Sequence, residues 1–149
     1  MNLYELGLDL LTECESLLDP HVTGRDLPAR RYVGHGEPPV ESCAGLLAVW
    51  FGPLEIRQIS RGDTRQVRRV ASVNVDVWRC WPTGDREAPT VDELTGASVM
   101  VADDCDRLTG GLPVWASDGC TNVEWRPALP LGPNGGMAGW RIPLLIDLG

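Results

Sequence analysis

Four sets of residues could do chemistry by type and spacing. The five cysteines, Cys14, Cys43, Cys80, Cys105 and Cys120, come first. Thiolate zinc sites are built from close, regular pairs such as C-x-x-C, and no two of these cysteines lie that close. A set of Cys80, Cys105, Cys120 and a histidine is the zinc arrangement left open, with no spacing in its favour. The second set pairs Cys43 or Cys80 with His21 or His35, the types of a thiol hydrolase. Such a dyad needs a base within hydrogen-bond reach of the thiol, and no local signature brings them together. The third is Asp103, Asp104 and Asp106, which could hold a cation or form a solvated helix face. The fourth is the glycine-rich run 132–136, which lacks the lysine and the following helix of a phosphate-binding loop and reads as a hairpin turn. Asp76 stands apart as a lone carboxylate in mid-strand between Val75 and Val77.

The elements that would position these groups are organised around residues 70–82. Val73, Val75 and Val77 alternate with Asn74, Asp76 and Trp78, the period of a strand with one face in a core. Pro82 ends it. The valine face is expected to meet a helical layer, with Asn74 and Asp76 on the other side. Upstream, residues 2–18 predict a helix capped by Asn2 and Glu5, with Leu3, Leu6, Leu10, Cys14 and Leu17 on one face. Asp19-Pro20 stops it. A long Pro/Gly-rich connection, 21–42, follows, within which Arg30-Arg31-Tyr32-Val33 suits a short strand. Residues 45–51 read as a buried strand, Gly52-Pro53 as a turn and 54–60 as a second strand. Arg61-Gly62-Asp63-Thr64 is then a turn, its adhesion-like tripeptide a chance match.

Downstream, Thr90 and Glu93 form a capping box for a second helix. Its apolar stripe is Leu94, Ala97, Val101, Cys105, Leu108 and Leu112, with Asp103, Asp104 and Asp106 mostly off it. Gly110-Gly111 and Pro113 are expected to end it. Residues 120–127 and 140–148 suit two more strands, with Pro143 at an edge or a bulge.

The chain has 149 residues, the size of a single domain, and a net charge of −8. That charge argues against broad phosphate binding. All 13 basic residues are arginine, a composition of GC-rich genomes. No apolar run approaches the ~18 residues of a membrane-spanning helix. The early acids Glu5, Asp9, Glu13 and Glu15 do not suit a signal peptide. The expected compartment is reducing, with all five thiols free, buried as small hydrophobes and binding no metal.

The order helix, long Pro/Gly loop, strands, helix, terminal hairpin resembles the tail terminator proteins of long-tailed phages, particularly those of actinobacteria. Three blocks carry the likeness: Arg30-Arg31-Tyr32-Val33 ahead of Cys43; Val75-Asp76-Val77-Trp78-Arg79-Cys80-Trp81-Pro82; and Gly132-Pro133-Asn134-Gly135-Gly136-Met137-Ala138-Gly139-Trp140. The resemblance implies an α+β fold, a two-layer α/β sandwich with a mixed or antiparallel sheet of about five strands covered by two helices. It implies a structural protein, not an enzyme, with no catalytic, cofactor or metal residues. The family forms a ring, usually a homohexamer, on the head-proximal end of the tail tube. Its partners would be further copies of itself, the tail tube protein and the head completion or connector proteins. DNA passes through the ring without sequence-specific contact, and no membrane is involved. The protein would reside in the virion after assembly in the bacterial cytoplasm. A neck or stopper-type connector of the same assembly is the alternative; a small enzyme or binding module stays open behind it.

Charge suggests how a ring would close. Five arginines against Glu55 and Asp63 give residues 55–69 a charge of +3, leaving −11 on the rest. A head-to-tail contact would bring this arm to an acidic surface of the next subunit. The candidate interface comprises Arg61, Arg65, Arg68 and Arg69, with Asp103, Asp104 and Asp106 as acceptors and Asn134 and Trp140 in the terminal hairpin.

Overall fold

The structure is a computed structural model that describes residues 2–40, 44–84, 87–119 and 122–149. It is an α+β fold of two layers. Helices α1 (Leu3–Leu17) and α3 (Val91–Asp118) cover one face of a six-stranded mixed sheet, and a single turn of helix, α2 (Pro20–Thr23), follows α1. The strands are β1 (Arg30–His35), β2 (Leu46–Arg61), β3 (Thr64–Cys80), β4 (Val123–Trp125), β5 (Leu129–Asn134) and β6 (Met137–Asp147). Their order is β1-β2-β3-β6-β4, with β5 also on β6. Only β1 and β2 run parallel. β4 and β5 share one edge of β6 in succession, so the sheet is five strands wide.

The 70–82 segment is the middle of the sheet, flanked by β2 and β6. Val73, Val75 and Val77 pack with Leu47, Val49, Ile142, Leu144 and Ile146 beneath Leu10, Cys14, Leu108 and Leu112 of the helices. α1 starts where Asn2 and Glu5 exchange both capping-box hydrogen bonds, satisfying two amides the helix leaves open. The opposite face of the sheet holds a smaller cluster of Leu46, Ala48, Trp78 and Met137, covered by Tyr32, Val40, Trp50 and Leu131. Asn74 and Asp76 lie on that side, as the alternation requires, but both are buried.

Three expectations are corrected. Gly52-Pro53 does not turn the chain: β2 is one strand of 16 residues with a bulge between Phe51 and Leu54. β1 has ended by then, its last pair being His35 with Phe51, so Pro53 costs no ladder bond on that side. Gly110-Gly111 and Pro113 do not end α3, which continues to Asp118. Buried Leu112 and Ala116 and half-buried Trp115 hold the last turns against the core. Gly111 sits against α1, since a Cβ there would collide with Leu17. Pro143 is neither at an edge strand nor a bulge; its carbonyl accepts from the Arg126 amide. In an antiparallel strand the N and O of one residue point the same way. The missing N–H thus faces the gap between β4 and β5.

The expectation of free thiols fails at Cys80. Cys80 is disulfide-bonded, whereas Cys14 and Cys105 are free; Cys43 and Cys120 lie outside the described residues. Burial, with Glu13 and Glu15 beside it, raises the Cys14 thiol far above its ordinary value. Among the described residues, no helix is long and apolar enough to cross a membrane.

Candidate assembly interface

β2 and β3 outrun the sheet. β6 leaves β3 at Val70 and β1 leaves β2 at Phe51, yet the hairpin pairs on through Ile56–Arg69 to Arg61–Thr64. A two-residue turn, Gly62-Asp63, closes it, with Gly62 at φ +61°. The result is an arm about 20 Å long at the antiparallel rise per residue; apart from the Arg69 carbonyl at its base, which accepts from the Leu148 amide, its backbone edges pair with no other strand among the described residues. The basic segment seen in the sequence is this arm.

Its two faces differ. Cross-strand pairing of Leu54 with Ala71, Ile56 with Arg69 and Gln58 with Val67 fixes which residues point together. On the face continuous with the helix-covered side stand Leu54, Ile56 and Val67, at 47%, 69% and 55% exposure, together with Arg65 and Arg69. Arg57, Arg61 and Arg68 occupy the other face. There Arg57 grips Glu55, and Arg68 approaches Asp147 of β6 at 3.7 Å. Arg61, Arg65 and Arg69 form no ion pair among the described residues. Arg61 and Arg68 instead flank a shallow polar hollow with Thr64 and Gln66.

Of the three carboxylates offered by the sequence as acceptors, Asp104 is removed by burial. Asp104 is wholly buried, 0% exposed, at a core position of α3. Arg79 of β3 holds it with two bonds, Nε to Oδ2 at 2.7 Å and Nη2 to Oδ1 at 3.0 Å, and Arg25 adds a third. Arg79 also donates to the Asp26 carbonyl at 2.6 Å, tying the loop after α2 to sheet and helix. Asp103 is engaged by Arg107 and Arg25, whose hydrogen bonds lower its carboxyl below the usual value. Asp106 alone of the three is exposed. Trp140 likewise belongs to the fold, packed at the margin of the main core opposite Val77. Asn134 is exposed at the β5–β6 turn.

Sequence reasoning flagged Asp76 without finding its partners. Asp76, 1% exposed, receives Arg141 Nε at 2.8 Å, Arg141 Nη2 at 2.9 Å and Trp50 Nε1 at 2.9 Å. The Arg141 guanidinium lies 4.9 Å from the Trp50 ring centre and reaches on to Glu37. Bonding to Asp76 raises the Arg141 pKa further still. Charge, hydrogen bonds and ring face are thus all satisfied within the chain, and the cluster staples the loop around Glu37 to the sheet. His21 and His35 are exposed, one on α2 and one at the end of β1.

At the end of the sheet remote from the arm lies an open groove of about 1120 Å³. Trp81, Ala97 and Met100 give it apolar walls, Asp92 and Glu93 line its acidic side, and Gly135 and Gly136 of the β5–β6 turn border it. Cys80 is at its margin. The groove was not legible in the sequence: Trp81 follows the end of β3 and Asp92 and Glu93 lie in the first turn of α3, and only the fold brings them together.

Compared with known proteins, the chain matches no protein-family model and no curated protein.

Proposed function

We propose that the protein is a structural, ring-forming tail terminator of a long-tailed phage, capping the head-proximal end of the tail tube and presenting a surface to head completion proteins. The observation that carries this reading is the arm: a self-paired, basic hairpin projecting from an otherwise acidic domain, with apolar side chains left in water. Monomeric proteins rarely keep such a stripe exposed unless something covers it, and opposite potentials on one chain suit contacts between copies. The buried and half-buried ionisable groups support a structural role. Asp76, Arg141, Asp104 and Arg79 are spent on each other and on holding loops to the sheet. The Cys80 disulfide suits a particle that meets oxidising medium outside the host.

Dimensions agree with a conduit. A domain of this length has a radius of gyration of about 15 Å and a diameter of about 38 Å. Six in contact leave an opening of about 38 Å before loops enter it, enough for duplex DNA. Net negative charge disfavours holding that DNA by its phosphates.

The test is capping. Tail tubes assembled without a terminator are mixed with the purified protein and viewed by electron microscopy. The expected result is a ring at one end of each tube and arrested growth. Binding to portal-side connector complexes with none to tubes would move the assignment to a neck protein. Absence of binding to either would overturn the assembly reading.

A further inference from the structure

We propose that the arm of one copy seats in the groove at the far end of a second copy, with Leu54, Ile56 and Val67 against Trp81 and Met100, and Arg65 and Arg69 against Asp92 and Glu93. This rests on the reading of the chain as a ring-forming protein and names the contact that closes the ring.

Three observations converge. The first is composition face by face. Among the arm's described side chains, the exposed apolar ones, Leu54, Ile56 and Val67, share their face with Arg65 and Arg69, which have no ion pair among the described residues, while the opposite face carries the pairs Glu55–Arg57 and Arg68–Asp147. The second is the groove: apolar walls with a carboxylate side, Asp92 and Glu93 being exposed and without ion pairs among the described residues. It is open rather than enclosed, unlike the clefts that bury most of a small ligand, and so suits a segment of chain. The third is placement. The arm leaves the sheet at the Val70 end of β3, and the groove opens at the Cys80 end, about 30 Å away at the strand rise. Donor and acceptor at opposite ends of one body make a head-to-tail contact, which propagates until rotation closes it into a ring. Of the acidic side chains of α3 at 103, 104 and 106, Asp103 and Asp104 are already committed within the chain, and Asp106 alone is exposed.

Two complementary variants of the full chain test this. Arg65→Glu with Arg69→Glu disables the arm and leaves the groove intact. Gly96→Trp fills the groove and leaves the arm intact; a Cβ at Gly96 meets nothing within 4 Å, and replacing a helix-interior glycine does not weaken α3. Native mass spectrometry and thermal melting are run on each. The expected result is oligomers beyond the dimer for the wild type, folded monomers for each variant, and a one-to-one heterodimer, with nothing larger, when the variants are mixed. Adding Asp92→Arg and Glu93→Arg to the arm variant should restore higher oligomers. Folded variants that oligomerise like the wild type, a mixture that stays monomeric, or a wild type monomeric at every soluble concentration would each overturn the contact. So would loss of duplex-DNA binding in the arm variant with oligomerisation unchanged, which would make the arm a nucleic-acid contact. Tube capping by the wild type is scored separately. A ring that caps tubes yet tolerates both variants keeps the proposed function and rejects this interface.

Discussion

Asp76 and Asp104 are each held bidentately by an arginine from another element, one on each face of the sheet. Neither pairing could be read from the chain. Asp76 stood out because a carboxylate among valines is unusual, but Arg141 is 65 residues away, and only the β3–β6 register brings them opposite. Asp104 was misplaced for a different reason. Along a helix, positions 104 and 105 both border the stripe through Val101 and Leu108, and Cys105 is the more apolar of the two. The structure buries the aspartate because Arg79 waits beneath it. Buried ion pairs stabilise little relative to an apolar pair, yet breaking one leaves an uncompensated charge. Asp104→Asn should therefore lower stability by about 3–5 kcal/mol. The double change Arg79→Met with Asp104→Leu should recover most of that loss, because Arg25 keeps Asp103. Urea denaturation of the monomer measures both; a double variant as weak as the single would mean the pair holds the Asp26 loop in a way packing cannot replace.

The elements show where local signals lost to packing. The helix caps, the alternating valines and the short strand at Arg30 were legible because their causes are local: a side chain reaching its own helix terminus, or a period of two. Gly52-Pro53 and Gly110-Gly111 with Pro113 are equally strong punctuation, and both were overruled. The first became a bulge because β3 continues to pair beyond it. The second stayed helical because Leu112, Trp115 and Ala116 face the core. A proline there still removes the bond to the Thr109 carbonyl, a penalty of about 3 kcal/mol in a helix interior. Pro113→Ala should thus raise stability by about 1–2 kcal/mol, the proline's restriction of the unfolded chain offsetting part of the gain. A denaturation midpoint that falls instead would show that the helix is bent at Pro113 to meet the sheet.

At the scale of the whole molecule, charge and shape separate along one axis. The body carries −11 and the arm +3, and that imbalance was legible from the sequence because it needs only counting. The partner surface was not, because Trp81, Met100 and Asp92 converge only once α3 lies over the end of β3. The arm also lies outside the energetics of the fold. Beyond Ile56 and Arg69 its described side chains are exposed and belong to neither hydrophobic cluster. Replacing residues 57–68 by Asn-Gly, a sequence that suits a two-residue hairpin turn, should therefore leave the unfolding midpoint within measurement error while abolishing self-association. Salt gives an independent check. If Arg65 and Arg69 meet carboxylates at a partly exposed contact, the wild-type association constant should fall as ionic strength rises from about 0.05 to 0.5 M, over which the Debye length shortens to a few ångströms. The shortened chain should stay monomeric throughout. Association that strengthens with salt would instead place the apolar stripe Leu54–Ile56–Val67 in command, with the arginines at a solvated rim.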